Sequence, residues 1–166
     1  LYTGHGYIRR DTGQYMFHPM ALDDPAMFPV YDYCTEAHLP VLLHINPDRP
    51  GFADELVGML RRFPQMKVIC PHFILSTRRL SRLEELLEVF PNLYCDISLG
   101  HDEFLKAGLQ TISKSNTELR RIFRSFPDRF FFGVDLVFKS YSGHDDAWYG
   151  DRIATYFEML TRDRYS

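Results

Sequence analysis

An α/β fold built on a parallel sheet is expected from three features of the sequence. Junctions of an apolar residue with proline recur at Leu39-Pro40, Phe63-Pro64, Phe90-Pro91 and Phe126-Pro127. Each closes a stretch of helical periodicity, as a proline that cannot continue the helix should. Each is followed within a few residues by a short apolar run, the pattern of strands buried on both faces of a parallel sheet. Strands alternating with helices imply right-handed crossovers. The junctions stand 24, 27 and 36 residues apart. Eight such units would need about 230 residues, near the size of a closed (β/α)8 barrel. The 166 residues of this chain supply five or six. Part of a barrel and a five-stranded open sheet both satisfy the pattern.

Taken in order, Tyr15-Met16-Phe17 is the first expected strand. Asp23-Asp24 before Pro25 reads as a cap with proline at the first helical position, opening a helix that runs to about His38. The strands Val41 to Leu43, Met66 to Cys70, Leu93 to Cys95 and Arg129 to Val134 follow. Between them lie apolar stripes at helical spacing: Phe52, Leu56, Met59, Leu60 and Phe63, then Leu80, Leu83, Leu86, Leu87 and Phe90. Leu119, Ile122, Phe123 and Phe126 form a third stripe, and Ile153, Tyr156, Phe157 and Leu160 a fourth. Glu84, Glu85 and Glu88 fall on a solvated helix face, and Arg78, Arg79 and Arg82 read as a solvated helix start. Trp148 and Tyr149 read as packing residues.

Composition narrows the function classes. With 45% hydrophobic and 25% charged residues the chain is ordinary for a globular domain, which excludes disorder, collagen and a disulfide miniprotein. A net charge of −3 argues against a broad nucleic-acid surface. Cys34, Cys70 and Cys95 are too few for a disulfide framework and point to a reducing, cytoplasmic compartment. No apolar run approaches the length of a membrane span. The chain opens on Leu1 and stops at Ser166 just after a helical pattern. Residues 1–166 are therefore expected to be a single partial domain, truncated at both ends.

The informative residues are those that end the apolar runs: His18, His44, His72, Asp96 and Asp135. In parallel α/β folds the carboxyl ends of strands carry the functional groups. Neighbouring strands lie about 4.8 Å apart, so side chains from successive strand ends can reach one ion. Neutral imidazole with carboxylate suits Zn²⁺, Mn²⁺ or Fe²⁺. His5, His38, His101 and His144 read as surface or loop residues. Neither a Gly-rich phosphate loop nor a Gly-x-Ser-x-Gly elbow is present, which weakens a nucleotide-binding or serine-hydrolase reading.

Several segments resemble the amidohydrolase-2 branch of the amidohydrolase superfamily, in order and over about residues 15 to 160. They are His18-Pro19-Met20, Asp23-Asp24-Pro25, Leu39-Pro40-Val41-Leu42-Leu43-His44 and Pro71-His72-Phe73. Pro91-Asn92-Leu93-Tyr94-Cys95-Asp96-Ile97-Ser98 and Arg129-Phe130-Phe131-Phe132-Gly133-Val134-Asp135 complete the set. The resemblance implies a metal-dependent (β/α)8 barrel, of which these segments are similar to strands four to eight. It implies that His44 is a metal ligand and that Asp135 binds the metal and takes a proton from its water. It implies that His72 is either a second-metal ligand or the acid/base group, and His18 at most a weak substrate contact. The implied cofactor is a divalent metal, zinc first and manganese or iron next. The implied reaction is hydrolysis of an amide, ester or lactone of a small molecule, with decarboxylation of an aromatic or unsaturated acid as the alternative on the same fold.

The departure from the family is also plain. Its His-x-His pair on strand one is missing, and His5-Gly6-Tyr7 is not that motif. A catalytic zinc takes three protein ligands and a water. A third expectation is therefore an inactive fragment that self-associates, because an incomplete barrel exposes unpaired strand edges.

Overall fold

The computed structural model of the protein describes residues 7–8, 11–12, 15–16, 20–77, 79–100, 102–136 and 145–162. A four-stranded parallel sheet in the order β3-β4-β5-β6 forms its centre. The strands are β3 (Val41–Leu42), β4 (Val68–Cys70), β5 (Leu93–Asp96) and β6 (Phe130–Phe131). Val41 stands beside Val68 and Val68 beside Leu93, and Cys70 pairs with Cys95 and Cys95 with Phe130. Sequential strands are spatial neighbours, as in a (β/α) barrel.

The expected first strand does not join this sheet. Tyr15–Met16 (β2) pairs antiparallel with Tyr7–Ile8 (β1) as a separate ribbon. Phe17 and His18 lie outside the described residues.

The helices follow from local chemistry. Asp24 caps a single 3₁₀ turn, Pro25–Met27, by accepting from the Ala26 N–H at 2.8 Å, and α1 (Phe28–Glu36) continues from it. His38, just past that helix, takes the left-handed conformation common after helix ends. In α2 (Phe52–Arg62), Asp54 and Glu55 stand in the first turn and Arg61 and Arg62 in the last, which suits the helix dipole. The apolar stripe of α2 buries Leu56, Met59 and Leu60. That of α4 (Leu80–Val89) buries Leu80, Leu83 and Leu87, and that of α6 (Asn116–Ser125) buries Leu119 and Ile122. These stripes cover the sheet face of Val68, Cys70, Leu93 and Cys95, all fully buried.

Two elements were not anticipated. Asp102–Lys114 forms a helix, α5. Pro71–Ile74, α3, is a single turn whose chain from His72 to Leu75 runs left-handed, with φ of 60°, 54°, 57° and 49°. Left-handed backbone costs about 1–2 kcal/mol per residue for side chains of this kind. The last element, α7 (Asp146–Thr161), is capped by Asp145, whose side chain accepts from the Trp148 N–H.

The opposite face of the sheet is open. On it Leu42 is 58% exposed and Phe131 46%. In a closed barrel that face is the filled interior. No helix among the described residues is long and apolar enough to cross a membrane.

Candidate functional site

Three of the residues singled out from the sequence line one cavity at the carboxyl end of the sheet. His44 follows β3, where Leu43 extends the ladder by donating its N–H to the Ile69 carbonyl. His72 follows β4 and Asp135 follows β6. All three line one cavity of about 430 Å³. The His44 and His72 rings meet edge to face, with centroids 5.0 Å apart. Asp135 sits at φ 49°, an unusual conformation for a residue that is not glycine, and is exposed. Asn46, Arg49, Thr77 and Thr111 give the cavity polar walls, and Leu75, Leu99 and Phe104 give it apolar ones.

His72 is held by more groups than the sequence suggested. Its backbone N–H donates to Asp96 Oδ1 at 3.0 Å, and its Nδ1 lies 2.7 Å from Ser98 Oγ. Ser98 Oγ in turn donates to the same Asp96 oxygen at 2.5 Å, and the Ser98 N–H donates to it at 2.9 Å. Asp96, read from the sequence as a fifth rim group, is thus an internal anchor for His72. Gly133 makes room for it: a Cβ at position 133 would lie 3.0 Å from Asp96 Cγ.

The left-handed turn after His72 is buttressed from α4. Arg82 donates to the Leu75 carbonyl at 3.2 Å, to Ser76 Oγ at 2.9 and 3.1 Å, and to Asp48 at 2.6 Å. Its side chain is only 15% exposed. The reading as a solvated helix start therefore fails for Arg82 and holds for Arg79, which is exposed and lies 3.5 Å from Asp48, while Arg78 lies outside the described residues. Across the cavity, the Tyr156 hydroxyl accepts the Leu99 N–H at 2.7 Å, and Arg152 donates to the Gly100 carbonyl. Both residues come from α7 and fix the segment after β5.

Ser98, Arg82, Arg152 and Tyr156 carried no functional reading from sequence. One signal was available for Ser98: Asp followed two residues later by Ser, after a strand, is a local turn that brings the second residue's N–H onto the carboxylate. His18, His101 and His144 lie outside the described residues.

Two imidazoles and a carboxylate are the donor chemistry of a zinc or manganese site. Yet among the described residues no group of three or more His, Cys, Asp and Glu side chains is gathered closely enough to hold a metal ion. The described donors alone do not fit a closed metal centre. A metal at this cavity would need further ligands.

A family model described as Amidohydrolase matches residues 13–163. Among solved structures, an uncharacterized TIM-barrel protein from Bordetella bronchiseptica is similar with a TM-score of 0.59 at 19% identity, over 89% of this chain and 47% of that one. A 5-carboxyvanillate decarboxylase from Sphingomonas paucimobilis gives a TM-score of 0.47 at 16% identity, over 86% and 49% of the two chains. A dihydroxybenzoic acid decarboxylase from Polaromonas sp. JS666, solved with manganese and 2-nitroresorcinol, gives 0.46 at 12% identity, over 97% and 60%. No curated protein matches. The chain spans about half the length of the first two structures. Four parallel strands in sequential order, together with the Bordetella TIM barrel, make the fold a partial (β/α) barrel. With the family match spanning nearly the whole sequence, the chain belongs to the amidohydrolase family 2.

Proposed function

We propose that this chain carries part of the active-site rim of a metal-dependent hydrolase that cleaves a C–N or C–O bond in a small amide, ester or lactone. The observation that carries the reading is the shared cavity of His44, His72 and Asp135 at the carboxyl ends of β3, β4 and β6. The Asp135 carboxylate is the group able to take a proton from an attacking water. The His72 imidazole is the group able to give one to the leaving atom. His44 stands against His72 as a nitrogen donor for a divalent metal, zinc before manganese or iron, once additional ligands complete the set. The polar and apolar walls together suit a small organic substrate.

Elemental analysis of the purified chain and of His44→Ala tests the metal part. About one zinc or manganese per chain, lost in the variant, supports it; no metal in either removes it for this chain. A hydrolysis screen on small amides, esters and lactones, compared with Asp135→Asn, tests the reaction. Release of carbon dioxide in place of hydrolysis would move the assignment to decarboxylation.

A second reading has its own observation. The open face with Leu42 and Phe131 and, among the described residues, the unpaired edges of β3 and β6 favour self-association of a chain without activity. Sedimentation separates the two: a clean monomer contradicts edge pairing, and a concentration-dependent dimer supports it.

A further inference from the structure

We propose that Ser98 and Asp96 are positioning residues that fix the tautomer of His72. The argument is a count of protons. Ser98 Oγ has one proton and lies within hydrogen-bond distance of two groups, His72 Nδ1 at 2.7 Å and Asp96 Oδ1 at 2.5 Å. An ionised carboxylate only accepts, so the serine proton goes to Asp96. Ser98 Oγ must then accept from His72, and Nδ1 carries the hydrogen. In the neutral ring the lone pair is left on Nε2.

The opposite tautomer is disfavoured by the same geometry. A lone pair on Nδ1 would need the serine proton for itself. Ser98 Oγ and the Asp96 carboxylate would then face each other at 2.5 Å with no hydrogen between them. Asp96 also holds the other end of the residue, through the His72 N–H at 3.0 Å. One carboxylate oxygen therefore sets the backbone of the left-handed turn and, through Ser98, the ring.

The consequence rests on the hydrolase reading above. A ring with its hydrogen locked on Nδ1 offers Nε2 as the one nitrogen able to take up a proton in the cavity that His72 lines, and the ring gives a proton to the leaving atom only after Nε2 has taken one up. The tautomer itself can be read without any activity, so the two proposals can fail separately.

The test is nitrogen-15 NMR of the 166-residue chain with labelled histidine, at about pH 8.5, where an ordinary imidazole is neutral. His72→Gln identifies the signals of His72. A protonated Nδ1 and an unprotonated Nε2 in the wild type, shifting toward the Nε2–H form in Ser98→Ala, is the expected result. Ser98→Thr, which keeps the hydroxyl, should restore the wild-type pattern. The Nε2–H form in the wild type, or the same tautomer with and without the Ser98 hydroxyl, overturns the proposal. Should Ser98→Ala fail to fold, the wild-type spectrum decides by itself. Hydrolysis lost with the tautomer unchanged would count against the proposal and leave the hydrolase reading intact.

Discussion

Asp96 reaches across from β5 to accept the backbone N–H of His72 at 3.0 Å, tying the end of one strand to the second residue after its neighbour. The same oxygen accepts two hydrogens from Ser98. Hydrogen bonds to a charged acceptor are among the stronger ones. Asp96→Ala is expected to cost roughly 3 kcal/mol in urea unfolding. Gly133→Ala should push on the same carboxylate and cost about 1–3 kcal/mol, as overpacking does. A wild-type midpoint in either variant would contradict the anchoring role.

Arg82 is expected to resist even conservative replacement. Its fork donates at once to Ser76, the Leu75 carbonyl and Asp48. A lysine ammonium does not reproduce that planar fork. Arg82→Lys should lower stability by about 2 kcal/mol, whereas Arg79→Lys, at an exposed pair, should leave it unchanged. Denaturant midpoints of the two variants check the contrast.

Asn92 makes a sharper case. Its buried side-chain amide donates toward the carbonyls of Leu60, Phe63 and Met66, at the end of α2 and just beyond it. Asn92→Asp replaces those donors with acceptor oxygens facing acceptors. It should destabilise the fold by more than about 3 kcal/mol, and more than Asn92→Ala, which only removes the bonds. Equal losses in the two variants would refute the assignment.

Alkaline pH should weaken the fold through its buried thiols and phenols, Cys95 and Tyr31 among them. Burial pushes the Cys95 thiol well above its ordinary 9.0, helped by Cys70 and Asp96 and opposed by Arg129. Burial, with Asp23 and Cys34 behind it, pushes Tyr31 from 10.0 up to about 12. A raised pKa in the folded state means full stability below the unfolded value and loss as pH rises past it. Stability should therefore hold to about pH 9, fall as unfolded Cys95 ionises, and fall further above pH 10 as unfolded Tyr31 does. Thiol labelling offers a companion check. Cys34, partly exposed, should react in the folded protein, whereas Cys70 and Cys95, fully buried, should react only on unfolding.

Much of the frame was legible because it rests on local rules. The prolines after Phe63, Phe90 and Phe126 mark where α2, α4 and α6 end, and the apolar runs after them became β4, β5 and β6. What escaped was set by contacts distant in sequence. In α5, Gly108 lowers helix propensity, yet it is the residue that lets the helix approach Leu99, whose side chain lies 2.8 Å from where a Cβ would stand. The left-handed run through Phe73, Ile74 and Leu75 contradicts the local preference of all three. Burial of Phe73 and Ile74, with the grip of Arg82 and Asp96, holds it. His44, His72 and Asp135 were readable as strand-end residues because the carboxyl rim follows from topology. Asp96 was readable as a strand end too, but its anchoring role and that of Ser98 were not, because they lie in hydrogen bonds between adjacent strands.

The central proposal is that His44 and His72, whose rings meet at the carboxyl rim, form an incomplete donor site that His38, exposed beyond α1, does not join. Titration of the labelled-histidine chain with Mn²⁺, a paramagnetic ion that broadens signals near where it binds, tests this most directly. The account predicts that the His44 and His72 ring signals broaden together, at the raised metal concentration an incomplete ligand set requires but ahead of His38, and that His44→Ala or Asp135→Ala weakens the effect on His72. Broadening of His38 first, or of all histidines in step, would contradict it.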